Sequence, residues 1–364
     1  MQPGEKVFVT GATGFIGTRL VEKLLQRGVT VRALCRQERP QPPPGFDYPN
    51  GGPLDSPMVE RVMGELGDAD ALRRGMEGCH YVFHLAGYAR NWAPRAETFF
   101  EVNLAGMRNV FSAAEKLGVK RIVWTSSAVT LGPTLPGVIA DEQTPRTTQQ
   151  CFNHYERSKC LAEQEALHWA ARGLPVVIVN PTRVFGPGHL TEGNSVTRLI
   201  DDYDRGRMPF LLNLGRNVGN WAFVDDVADG HILAMLNGRT GQRYLLGGQN
   251  ASLREFFEAV DAVSGRRHLK IPLLRLTPLV FAWLLEKRAQ WFGVYPRITP
   301  GWINMFCHDA AYSCQKAIEE LGYRITPLID ALRITYQWLL RVRSQTGQNG
   351  HTSTAASPGA KNQQ

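Results

Sequence analysis

The sequence predicts the α/β class: a doubly wound parallel sheet followed by a smaller, mostly helical C-terminal part. Three observations carry that reading. Short apolar runs alternate with segments of helical periodicity, as successive βαβ units require. A glycine-rich turn, Thr10-Gly11-Ala12-Thr13-Gly14-Phe15-Ile16-Gly17, joins the first run to the first helix. At 364 residues the chain can bury a full core and exceeds one typical domain.

Lys6 to Thr10 is short and apolar, suited to a buried parallel strand. Ile16, Leu20, Val21, Leu24 and Leu25 then recur at helical spacing up to Gly28, a C-cap residue. In the turn between them, glycines let the backbone approach a pyrophosphate, whose charge the first helical N–H groups and the helix dipole receive. Gly11, Thr13, Gly14, Phe15, Ile16 and Gly17 are therefore candidate cofactor-binding residues. Their spacing is G-x-x-G-x-x-G rather than the G-x-G-x-x-G of the common dinucleotide turn, but the strand before and the helix after are as required. Val29 to Leu34 reads as the second strand, Val29, Val31 and Ala33 alternating with Thr30 and Arg32. Its end bears on the cofactor, because an acid there binds a ribose 2′-hydroxyl and an arginine a 2′-phosphate. Arg36 holds that place with Arg32 and Arg39 close by, so NADP(H) is expected ahead of NAD(H), for which Glu38 would serve.

Gln37 to Pro57 carries Pro40, Pro42, Pro43, Pro44, Pro49, Pro53 and Pro57 and cannot be a crossover helix; an irregular, mobile loop near the adenosine end is expected. Ala69 to Glu77 make a short helix ended by Gly78, with Asp68 as its N-cap. Tyr81 to Leu85 form a strand, Arg95 to Leu117 a long helix stopped by Gly118, and Arg121 to Ser126 a strand ending in Thr125-Ser126-Ser127. Asn103 falls inside the long helix, where Asn is a poor helix former, which suggests a polar role near the cofactor. The next helix carries Tyr155 and Lys159, runs to about Arg172 and stops at Gly173; Val176 to Val179 follow as a strand. Residues i and i+4 share a helix face, so the ammonium can sit beside the phenol and favour its ionised form. An acid-base tyrosine is the expectation.

Together, Thr10 to Gly17, Val82-Phe83-His84-Leu85-Ala86-Gly87, Val102-Asn103-Leu104, Thr125-Ser126-Ser127, Tyr155-x-x-x-Lys159, Asn180-Pro181-Thr182-Arg183-Val184-Phe185-Gly186-Pro187-Gly188 and Phe223-Val224-Asp225-Asp226-Val227-Ala228 resemble the extended short-chain dehydrogenase/reductases. These form part of the NAD-dependent epimerase/dehydratase superfamily. Residues 5 to 340 share the likeness, which is nearest to the dihydroflavonol 4-reductase and 3β-hydroxysteroid dehydrogenase-like branch. It implies a Rossmann-type NADP-binding domain over 1–182, with 220–248 returning to it, and a substrate-binding part over 183–219 and 249–343. It also implies that Leu85, Ala86, Gly87, Asn103, Thr125, Ser126, Pro181 and Val184 lie beside the cofactor. Glu65 and Leu66 would meet the adenine edge, Gly64-Glu65-Leu66 standing where the family has Gly-Asp-Leu. Tyr155 would give a proton to a ketone oxygen, Lys159 would lower the Tyr pKa and hold the ribose, and Ser127 would orient the carbonyl, with Ser126 as runner-up.

Tyr88, Trp92, Phe152, His154, Phe185, His189 and Trp221 lie in loops after family strands, where a ligand crevice forms. Tyr88, Trp92, Ser127 and Phe185 are the substrate candidates, and the walls suit a flat, largely apolar ketone or secondary alcohol. Ala128-Val129-Thr130-Leu131-Gly132 holds no acidic pair, which speaks against a nucleotide-sugar dehydratase. A nucleotide-sugar epimerase with retained NAD uses the same Tyr and Lys and is the alternative. A non-catalytic NADP-binding sensor is the alternative of another class, disfavoured because such sensors commonly lose the Tyr or the Lys.

The formal net charge is +8, but Lys and Arg are scattered, so nucleic acid is not expected as a partner. Six cysteines show neither a C-x-x-C pair nor metal-ligand spacing, which suits reduced thiols, a cytoplasmic setting and no metal. Met1 to Glu5 lead straight into the first strand, leaving no room for a secretion signal. Ser252 to Ser264 should be a helix. Residues 271–292 are apolar but too short and interrupted to span a membrane, and are expected to make a substrate-domain or homodimer-contact helix rather than an interfacial anchor. Thr326 to Arg343 closes the fold as an amphipathic helix, and 344–364 is expected to be disordered.

Overall fold

The computed structural model describes residues 4–48 and 51–352. Seven parallel strands form the main sheet in the order β10-β6-β5-β4-β1-β2-β3: β1 (Lys6–Thr10), β2 (Thr30–Cys35), β3 (Val59–Met63), β4 (Tyr81–His84), β5 (Arg121–Thr125), β6 (Val176–Pro181) and, returning late, β10 (Arg243–Leu246). Strand alternation splits the core between the two faces. Val7 and Val9 of β1 pack with Leu20, Val21 and Leu24 of α1 (Phe15–Gln26) and Val227 of α7 (Val224–Asn237). Phe8 turns the other way, to Leu72 and Met76 of α2 (Ala69–Met76), Val110 of α4 (Gly106–Lys116) and Ala162 of α5 (His154–Ala171). Helices on both faces of a parallel sheet confirm the doubly wound class. The order reverses between β1 and β4, and the crevice at that switch point is where a ligand site belongs.

The long helix expected from Arg95 runs as α3 (Glu97–Phe100), a π turn at Glu101–Ala105 and then α4. Asp68 caps α2 by accepting the Ala71 N–H at 2.9 Å. Among its described residues the Pro-rich stretch holds no crossover helix, only a short 3₁₀ turn at Pro53–Asp55. It is tethered rather than free: Trp338 Nε1 donates to the Pro44 carbonyl at 2.8 Å, and the Arg19 guanidinium lies 5.2 Å over Phe46. Pro49 lies outside the described residues.

Beyond β6 the chain builds β7 (Arg183–Phe185), α6 (Ser195–Asp204), β8 (Phe210–Leu212) and β9 (Val218–Phe223), then α7 and β10. There follow β11 (Gln249–Ser252), α8 (Leu253–Ser264), β12 (Ile271–Leu273), α9 (Leu276–Phe292), α10 (Pro300–Phe306), α11 (Gln315–Leu321) and α12 (Leu328–Thr352). Strands β11, β9 and β7 make a second sheet, and β12 pairs with β8. Helix α12 continues past Arg343 to Thr352, over the first part of the tail expected at 344–364, and Gln345 accepts the Gly45 N–H at 3.2 Å. The remainder of that expected tail, 353–364, lies outside the described residues. No described helix is long and apolar enough to cross a membrane, and all six cysteines are free thiols.

Candidate active site

The glycine-rich turn is a cradle that side chains would fill. Gly11 has φ +76°, and a Cβ on it would stand 2.6 Å from the Ala86 nitrogen; one on Gly17 would stand 2.0 Å from the Gly11 carbonyl oxygen. The backbone of β1, the start of α1 and the end of β4 therefore approach as closely as a pyrophosphate site demands. Phe15 is buried against Gly188, whereas Ile16 faces the cavity, and Thr13 is exposed. Arg36 is exposed immediately beyond β2, and among the described residues no carboxylate comes within 4 Å of it or of Arg39. Arg32, by contrast, is tied to Glu60 at 2.8 Å and to the Glu77 carbonyl. Glu65 is exposed, and Leu66 packs on Gly106. The groups present fit a dinucleotide.

At the carboxyl ends of β4, β5 and β6 a cavity of about 270 Å³ opens. Leu85, Gly87, Thr125, Ser126, Pro181 and Val184, all expected beside a cofactor, line it together with Tyr155 and Lys159. The start of α5 is fixed by Asn153, which accepts the Glu156 N–H at 2.8 Å, and by the Arg146–Glu156 ion pair. That puts Tyr155 in the first turn and Lys159 one turn on. Lys159 Nζ donates to the Thr125 carbonyl at 2.9 Å and sits 5.3 Å over the Trp124 ring. Burial brings its pKa down to about 8, against which the Glu163 carboxylate pulls. The phenol of Tyr155 is raised by burial, while the Ser127 hydroxyl within hydrogen-bonding reach pulls it back. The expected lowering of the tyrosine by Lys159 is thus not seen: the ammonium is spent on Thr125, and removal from water outweighs it.

The two serines are sorted by their partners. Ser126 donates to Glu163, which also accepts from Asn180 at 2.7 Å, Thr130 at 3.0 Å and Arg243 at 3.1 Å. Ser126 thus lines the cavity with its hydroxyl committed to Glu163, whereas Ser127, which does not line it, accepts the Val129 N–H at 3.4 Å and lies within hydrogen-bonding reach of Tyr155. Asn103 is buried in the π turn, accepts the Tyr88 N–H at 2.7 Å and donates to Ser158 at 2.9 Å. It pins the loop after β4 to α5.

The substrate wall differs from the expected one. Phe185 is fully buried against Phe223 and Phe256; adjacent strand residues face opposite ways, and it is Val184 that meets the cavity. Tyr88 rests edge-on against Phe99 at 5.0 Å and Trp92 against Tyr295 at 5.7 Å, while Gly87, Ala89, Arg90 and Asn91 line that side. Trp221 stacks on Phe256, His154 packs against Phe99, and His189 lies off the wall; of the seven aromatic and imidazole candidates only Phe152 lines it. His308 stacks on Phe152 at 4.8 Å and lines the cavity with Met305 and Tyr312.

Arg183 is the group that sequence reasoning passed over. Its guanidinium reaches the cavity wall, lies 5.2 Å from the Trp221 ring and 4.5 Å from that of Phe306, and donates to the Met305 carbonyl at 2.7 Å. Gly219 makes room for it: a Cβ there would stand 2.1 Å from Nη1. No carboxylate lies within 4 Å among the described residues, and burial brings its pKa down to about 10. The available signal was a cation inside an otherwise apolar strand.

Residues 7–247 match the model of the NAD dependent epimerase/dehydratase family. The chain is 34% identical over 336 residues to a "Putative dihydroflavonol 4-reductase" of Synechocystis sp., covering 91% of this chain and 93% of that one. It is 26% identical over 342 residues to the mouse (Mus musculus) "Sterol-4-alpha-carboxylate 3-dehydrogenase, decarboxylating", covering 89% and 87%. Among solved structures, the protein gox2253 superposes with a TM-score of 0.77 at 34% identity, over 95% of this chain and 99% of that one. A Thermus thermophilus UDP-glucose 4-epimerase solved with NAD, 22% identical, has a TM-score of 0.69 over 93% and 99%, a likeness of fold.

Proposed function

The chain belongs to the NAD-dependent epimerase/dehydratase family, within the extended short-chain dehydrogenase/reductases, and from that premise we propose an NADP(H)-dependent oxidoreductase that interconverts a ketone and a secondary alcohol on a largely apolar small molecule. The observation that carries this reading is the meeting of Tyr155 and Lys159 on a largely apolar cavity at the carboxyl ends of β4, β5 and β6, with the Ser127 hydroxyl within hydrogen-bonding reach of the Tyr155 phenol. The Gly11–Gly17 turn would hold the pyrophosphate and Arg36 the 2′-phosphate. A bound NADPH supplies hydride. Tyr155, kept protonated by burial, holds the proton for the carbonyl oxygen; Ser127 orients that oxygen, and Lys159 places positive charge beneath it. Arg183 adds to the cavity wall a buried cation with no carboxylate within 4 Å among the described residues, which suits an electron-rich or carboxylate substituent. Relatives named for reductase activity and for a sterol-4-alpha-carboxylate support this substrate class.

The test is absorbance at the reduced-cofactor band while the purified chain meets a panel of flavonoid, steroid and small aromatic ketones, some carrying a carboxylate. NADPH loss matched by alcohol formed is expected, with Arg36→Asp weakening NADPH at least about 10-fold more than NADH. Isomerisation of a sugar nucleotide with no net NADPH loss would point instead to an epimerase. Tight binding without turnover across the panel would point to a sensor.

A further inference from the structure

Helix α9 wears its side chains inside out. The residues it turns inward are small or compact: Pro278, Ala282 and Ala289 are its buried positions. At about 100° per residue, the opposite face carries Leu276, Val280, Trp283, Leu284 and Trp291. All are exposed, Leu276 by 72% and Trp291 by 76%, and Phe292 flanks them at 72%. Leu269, Ile271 and Leu274 just upstream and Val294 just downstream are exposed as well. A helix in a folded chain ordinarily turns this stripe to the core. Contiguous apolar exposure on this scale marks a surface that something covers.

The charge around it says what. From Gly265 to Pro300 the sequence holds Arg266, Arg267, Lys270, Arg275, Lys287, Arg288 and Arg297 against the single carboxylate Glu286. Lys270 is engaged by Asp261. Among the described residues, none of the five arginines has a carboxylate within 4 Å, and Lys287 lies in the outward stripe itself, 5.9 Å over the Trp283 ring. Bulky aliphatic and aromatic residues rimmed by unpaired cations match an anionic lipid interface, into which the former sink while the latter meet headgroups. A second copy of the same basic face would meet it with like charge.

We propose that α9 with its flanks is an interfacial helix that seats the protein on anionic bilayers, lying in the membrane plane without crossing it. Through α10, packed against α9, the seat is contiguous with the cavity wall at Met305 and His308. An apolar substrate dissolved in the bilayer would then enter without passing through bulk water. The proposal does not depend on which substrate is reduced.

Co-sedimentation of the full chain with phosphatidylcholine vesicles, with and without phosphatidylglycerol, tests it. Binding to the anionic vesicles is expected, with a blue shift of tryptophan emission and weakening in high salt. Val280→Ser combined with Trp291→Ser, both exposed positions, should lower partition at least about 10-fold with the thermal melt and NADPH binding unchanged. Arg288→Glu should lower binding to anionic vesicles on its own. Absence of binding to either vesicle, or equal binding by the double variant, would overturn the proposal. So would a dimer in solution that the double variant dissolves while vesicle binding is absent.

Discussion

At the scale of single residues the proposed chemistry turns on Lys159, which lines the same cavity as the proposed proton donor, one helical turn on. Its pKa is lowered by burial to about 8 from 10.5. The reduction rate should therefore fall as pH passes about 8, measured as kcat against pH, and Lys159→Arg should carry that fall to higher pH. A fall above pH 10 in the parent protein would assign the titration to Tyr155 instead. The same shift means the unfolded chain binds more protons between about 8 and 10.5, so the cofactor-free fold gains stability over that rise. That Tyr155 and Lys159 share one helix face was legible because a fixed local spacing declares it, and Ser127 because it follows a strand end. That Ser126 is engaged by Glu163 could not be read before the fold was in view, and Arg183, Met305 and His308 stayed hidden because they meet across more than a hundred residues of chain. Burial, which raises the Tyr155 phenol, cannot be read from a four-residue interval.

Among the elements, the β1–α1 turn is the most exacting. Gly17→Ala would drive a methyl to 2.0 Å from the Gly11 carbonyl, backbone against backbone with no side chain to yield. A loss of about 1–3 kcal/mol in urea unfolding is expected, with weaker NADPH binding in a fluorescence titration. An unchanged urea midpoint would show that the turn opens freely. Strands and helices of the cofactor half followed from apolar periodicity, because burial on both faces leaves continuous runs such as Val176 to Val179. Three features did not follow. The π turn around Asn103 depends on partners in α5 and in the loop after β4; the tethering of the Pro-rich stretch depends on Trp338; the inverted face of α9 contradicts the rule that apolar means inside.

Over the whole molecule, two buried histidines link the sheet to acid stability. His84 pairs with Thr10 at 2.7 Å, and burial brings its pKa down to about 3. His231 gives its Nδ1 proton to the Val227 carbonyl, leaving Nε2 to accept from Thr125, and its pKa is down to about 4. Both fold as neutral rings, so the stability present above pH 6.5 is lost as pH falls through the folded values, where the unfolded chain takes up protons first. Replacing His231 by Gln should flatten the dependence of unfolding free energy on pH between about 6.5 and 4; an unaltered slope would remove this histidine from the acid response. Under the proposed function the larger arrangement, with cradle, acid-base pair and apolar cavity on one edge of one sheet, serves a single act: delivery of a proton to a carbonyl oxygen beside NADPH. Its most direct test is Tyr155→Phe beside the parent protein, on a ketone that the parent reduces, with NADPH affinity and turnover measured together. NADPH affinity within about twofold of the parent's and turnover lower by about 10²–10⁴ are predicted; turnover equal to the parent's would contradict the assignment of Tyr155 as proton donor.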